Sequence, residues 1–128
     1  MQERSILEFF AEVKNPGLDV NRLKQRLAIA HLPYLSKSID TVISDDKEKG
    51  MIYCIWGEFE INREELKYGV RFTLPHCPNA LACTITIDDQ DDGNIVIHCS
   101  INKKQHDEDF IDSIHQFVSD WAEGLQAA

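Results

Sequence analysis

The chain has 128 residues, 43% of them hydrophobic and 27% charged, with a formal net charge of −9. That length predicts one domain over 1–128 with a single core, and the apolar share excludes a disordered chain. The acidity argues against a nucleic-acid partner, whose phosphates are bound by basic groups that displace counterions.

The charge is uneven, with eighteen acidic against eight basic side chains over residues 36–128. Such a surface keeps a protein soluble and suits a basic partner. Cys54, Cys77, Cys83 and Cys99 are too few and too spread for a disulfide scaffold. The opening Met-Gln-Glu-Arg-Ser brings charge where a signal peptide has an apolar run, and Met51 to Trp56 is too short to span a membrane. The expectation is a cytoplasmic protein with no membrane contact.

Ile6, Phe9, Phe10 and Val13 recur at helical spacing, and Asn15-Pro16-Gly17 reads as the stop. A second helix is predicted from Asp19, its N-cap, to His31. Its apolar stripe is Val20, Leu23, Leu27 and Ala30, and Pro33 ends it. Residues 36–44 fit either period, and the loop-like stretch Asp45 to Gly50 favours a strand.

From Met51 the alternation is clearer. Phe59 and Ile61 oppose Glu58 and Glu60 in the second strand, and Val70 and Phe72 oppose Arg71 and Thr73 in the third. Cys83, Ile85 and Ile87 oppose Thr84 and Thr86 in the fourth. In the fifth, Ile95, Ile97, Cys99 and Ile101 oppose Val96, His98, Ser100 and Asn102. Period-two alternation marks an antiparallel sheet with one covered face. A closing helix starts at Asp107 and carries Phe110, Ile111, Ile114, Phe117, Val118, Trp121 and Leu125 on one stripe, with Gly124 at its end. The predicted fold is α+β: a five-stranded antiparallel sheet with two N-terminal helices and one C-terminal amphipathic helix, in the order α-α-β-β-β-β-β-α. Two helices fill one face of such a sheet, so one N-terminal helix belongs at an edge, on the other face or against a second copy of the chain.

The second strand breaks its own pattern, because Ile52, Cys54 and Trp56 fall on the side of Glu58 and Glu60. A turn at Asn62 to Glu65 would set Trp56 opposite Arg71 in a cation–π pair and Glu60 opposite Lys67. If an N-terminal helix does not cover this corner, Ile52, Trp56 and Arg71 are the partner-binding candidates, since tryptophan and arginine anchor interfaces. On the outer face, His98 stands near Thr84 and Thr86, a setting suited to a small ligand or a proton shuttle.

Other constellations fall short. Asp88 to Ile95 carries calcium-loop spacing, yet Cys99 stands where the bidentate glutamate belongs, and a hairpin turn explains the same residues. His76, Cys77 and Cys83 lack the paired spacing of a zinc site, and Cys77 has no histidine placed to activate it. Lys14, Arg22, Lys24 and Arg26 form only a modest basic side. Phosphate-binding glycine loops and nucleophile elbows are absent from the sequence. No catalytic residue, metal or cofactor is predicted.

In size, acidity and a strand-rich middle between helices, the chain resembles the small dedicated chaperones of bacterial secretion systems, although the 75–81 connection lacks their middle helix. The resemblance implies a protein partner. The leading expectation is a non-catalytic protein-binding domain of adaptor, inhibitor or chaperone type, acting on a protein partner or on itself as a homodimer. The alternative is a small-ligand-binding protein or enzyme that uses the outer face around His98, Thr84 and Thr86.

Overall fold

The computed structural model describes residues 6–88, 93–102 and 106–128. The described chain opens with a strand: β1 (Ile6–Lys14), α1 (Val20–Arg26), a single 3-10 turn, α2 (Leu32–Leu35), β2 (Ile39–Asp45), β3 (Lys49–Cys54), β4 (Gly57–Leu66), β5 (Gly69–Thr73), β6 (Ala82–Asp88), β7 (Asn94–Asn102) and α3 (Glu108–Ala127). The sheet has seven strands in the order β1-β7-β6-β5-β4-β3-β2, all neighbours antiparallel. The mixed α+β class, the antiparallel sheet and the C-terminal helix agree with the sequence reading, whereas five strands and two leading helices do not.

Two local readings account for the difference. Residues 6–14 satisfy a helical stripe, yet they pair along their whole length with β7, from Ile6 opposite Asn102 to Lys14 opposite Asn94. That register turns Leu7, Phe9, Ala11 and Val13 onto the core and leaves Phe10 63% exposed. A full ladder and a packed face outweigh a local period that fits two structures. The predicted second strand is really a hairpin, with its turn at Ile55–Trp56 and a left-handed Gly57 (φ +111°). This turn resolves the apparent break in pattern: Ile52, opposite Phe59, faces inward with it, as do Cys54 and Ile61.

The second predicted helix divides into α1 and the 3-10 turn, and α1, α2 and α3 all contribute to one core. Asp19 caps α1 by accepting the Arg22 N–H at 2.8 Å. The C-terminal end of α1 is held by Arg63 of β4, which donates from Nε to the Leu27 carbonyl and from Nη2 to the Lys24 carbonyl. A cation there also complements the helix dipole. Pro33 does not end a helix but lies in the first turn of α2, where its missing N–H costs nothing.

Asp107 takes the N-cap position of α3 without a side-chain capping bond. Gly124 does not end α3; it lies inside it, where a Cβ would stand 1.6 Å from the Leu35 carbonyl oxygen. Only glycine lets the backbone of α2's last residue pass this close. Asn15, after β1, donates from Nδ2 to the Leu125 and Ala128 carbonyls and fastens the same end of α3.

Candidate functional site

Between the sheet and α3 lies a cavity. Ile52 and Cys54 of β3, Ile61 of β4, Phe72 of β5 and Cys83 of β6 line it from the sheet, and Phe117 and Trp121 of α3 line it from the helix. Trp56, in the β3–β4 turn, closes one side. Alternation along the strands and the i, i+4 spacing along α3 bring these apolar side chains together. The cavity measures about 20 Å³, room for roughly one water molecule.

Its aromatic walls are ordered. The Trp121 ring stacks on Phe72 with centroids 6.1 Å apart and stands at 88° to Phe117, while Trp56 packs on Phe117 at 4.9 Å. The two indoles differ in their hydrogen bonding. Trp56 Nε1–H donates to Ser113 Oγ at 2.8 Å. Trp121 is 1% exposed, and its Nε1–H finds no acceptor among the described residues. Nearby on α3, Asp120 accepts from Ser38 Oγ at 2.6 Å and from Gln116 Nε2 at 2.8 Å, so its carboxylate is satisfied.

The cavity thiols are not poised as nucleophiles. Burial pushes the Cys54 thiol up despite backbone bonds that oppose it. Contact with the Cys99 thiol, then burial, holds Cys83 well above the usual thiol range. Both therefore stay protonated near neutral pH, and the thiolate is the reactive form.

The outer face is arranged differently. Glu64, Arg71, Thr84, His98 and Phe10 lie opposite one another in one row across β4, β5, β6, β7 and β1. Thr86 stands on the neighbouring row, opposite Val96. Within the row, Arg71 approaches Glu64 at 4.0 Å. The His98 ring stacks on Phe10 at 4.5 Å, and its Nε2 lies 3.0 Å from Glu8 Oε1.

The structure thus brings Arg71, Thr84 and His98 together and separates Arg71 from Ile52 and Trp56, which belong to the opposite face. Ile52 is 2% exposed, and the element over Trp56 is α3 rather than an N-terminal helix. The expected Trp56–Arg71 and Glu60–Lys67 pairs do not form, because the β4–β5 turn falls at Lys67–Tyr68 and Glu60 stands opposite Met51. His76 reaches Glu60 at 3.2 Å instead. Of the calcium-loop reading, residues 89–92 lie outside the described residues, and Asp88 pairs with Asn94 in the expected hairpin. Among the described residues no group of three or more His, Cys, Asp or Glu is placed to hold a metal ion. No helix among them is long and apolar enough to cross a membrane.

The sequence reading took Phe117 and Trp121 as core alone and did not place Glu8 and Phe10 beside His98. The aromatic pair at i, i+4 on α3 was the visible signal for a shared wall.

No model of a protein family matches the chain, and no curated protein matches it. Among solved structures, a START superfamily protein from Mycobacterium smegmatis is similar, with a TM-score of 0.65 and 8% identity over 96% of this chain and 95% of that one. At that identity the likeness is one of fold. The resemblance to secretion chaperones rested on strands between helices, but a strand opens the described chain and pairs with the last one. The architecture is a mixed α+β fold similar to that of the Mycobacterium smegmatis protein, with a large antiparallel sheet and a C-terminal helix packed across it.

Proposed function

We propose that the chain is a small-molecule-binding protein that holds a largely apolar ligand between the sheet and α3. The observation that carries this reading is Trp121, which lines an apolar cavity and whose buried indole N–H has no acceptor among the described residues. Leaving such a donor unpaired costs about 1–3 kcal/mol, so a ligand that offers an acceptor gains both the bond and the relief. The ligand class is therefore an apolar molecule with one carbonyl, ether or hydroxyl oxygen. The likeness in fold to a START superfamily protein, a superfamily of ligand-binding domains, favours this reading over protein binding.

A ligand larger than water requires the α3 wall to move. Asn15 and the Gly124–Leu35 contact hold the C-terminal end of α3. The N-terminal half is tied through Trp56 and Ser113, a bond that must break if that end opens. The polar row on the outer face has its groups paired or solvated, which leaves it less to gain from a ligand.

Octanol and octane test the reading, because they match in chain length and differ in one oxygen. Both tryptophans line the cavity, so intrinsic fluorescence reports its occupancy. Octanol should bind more tightly than octane, and Trp121→Phe should remove that preference, a change of up to about tenfold for one hydrogen bond. Equal binding of octanol by the wild type and Trp121→Phe would remove the indole from the account, and no binding of either probe would overturn the proposal.

A further inference from the structure

Cys83 of β6 stands directly opposite Cys99 of β7, and both side chains lie on the buried face of the sheet. The type of pair follows from the ladders on either side. Leu74 donates its N–H to the Leu81 carbonyl and Ile87 to that of Tyr68, so the odd-numbered residues of β6 turn their backbone groups toward β5. Asn15 donates to the Gly93 carbonyl, so the odd-numbered residues of β7 turn theirs toward β1. Cys83 and Cys99 therefore form a non-hydrogen-bonded pair, where Cα atoms approach to about 4.5 Å and side chains come closest. A disulfide needs Cα atoms about 4.4–6.8 Å apart, so this pair meets the requirement without movement of the strands.

We propose that Cys83 and Cys99 are a modification site, a dithiol that a peroxide converts into a cross-strand disulfide joining β6 to β7. The size of the oxidant follows from access. Cys83 is 3% exposed and Cys99 0%, and the cavity that Cys83 lines has room for about one water molecule. Hydrogen peroxide fits that space, whereas a glutathione disulfide does not.

The sulfur of one cysteine, as thiolate, attacks a peroxide oxygen. The O–O bond breaks, a sulfenic acid forms, and hydroxide leaves to take up the thiol proton as water. The second thiol then attacks the sulfenic sulfur. The S–S bond forms as the S–O bond breaks, and a second water carries away the remaining proton. The two cysteines lose two electrons and the peroxide gains them. Because contact and burial hold the thiol protonated, the reaction is slow at neutral pH and quickens as pH rises. Cys77 is more exposed than either partner and is the competing target. The site stands apart from the ligand reading, since no organic molecule is needed for the thiols to meet.

The test treats the full chain with hydrogen peroxide, without organic ligand, then unfolds it, alkylates free thiols and maps the peptides by mass spectrometry. The expected product has lost two hydrogens, joins the Cys83 and Cys99 peptides, reverts with dithiothreitol and forms faster at higher pH. Cys54→Ala/Cys77→Ala should still give it, with a raised thermal midpoint, and Cys99→Ala should not. Full alkylation of both Cys83 and Cys99 after treatment would overturn the proposal, as would oxygen added at Cys77 alone. Mapping the wild-type chain gives the answer even if a variant fails to fold.

Discussion

The two faces of β6 and β7 are made by the same strands and behave as opposites. Inward, Cys83, Ile85, Ile87, Ile95, Ile97, Cys99 and Ile101 are all buried. Outward, Thr84, Thr86, Val96, His98 and Ser100 are each partly open to solvent. On the outer face a polar group always has water to fall back on, so the partly exposed Arg71–Glu64 contact at 4.0 Å adds little. On the inner face α3 excludes water, and a single unpaired N–H acquires a cost. A covered apolar face that holds an indole N–H with no acceptor among the described residues has more to gain from a ligand than an open face rich in polar groups.

The largest expected effect that sharpens this comparison comes from α3. Phe117→Ala should cost about 3–5 kcal/mol, read from a denaturant melt, as other large buried deletions do. A loss below about 1 kcal/mol would mean that α3 does not cover the sheet. Gly124→Ala comes next, with two principles opposed. Helix propensity favours alanine by about 1 kcal/mol, whereas forcing a methyl against the Leu35 carbonyl costs about 1–3 kcal/mol. The contact should win, and a stabilised variant would show that α2 does not pass so close.

Trp56→Ala should lower stability by about 2 kcal/mol, less than a fully buried tryptophan, because its ring is half-buried against Phe117. An unchanged thermal midpoint would instead return Trp56 to a partner-binding surface. The smallest effect belongs to the outer row. Thr84→Ala and Arg71→Ala should each stay within about 0.5 kcal/mol of wild type, and a larger loss would show that this face is covered.

How much of this was legible depends on whether a signal is local. β6, β7 and α3 were, since Cys83 to Ile87, Ile95 to Ile101 and Phe110 to Leu125 each obey one period. β1 was not, because Ile6, Phe9, Phe10 and Val13 suit a helix as well as a strand, and the choice is made by the distant edge of β7. The polarity change around Ile52, Cys54 and Trp56 was visible but marked a turn, not an exposed corner. The spacing of Phe117 and Trp121 announced an apolar wall. That Trp56 has Ser113 as acceptor while Trp121 has none among the described residues is a tertiary fact with no trace in the sequence.

The central claim concerns one N–H group, and two-dimensional nitrogen–proton NMR sees it directly, because the chain has only two indoles. During an octanol titration the Trp121 indole resonance should move downfield as it gains an acceptor, while that of Trp56, already bonded to Ser113, should move far less. A Trp121 indole that stays in place while octanol saturates the protein would contradict the account.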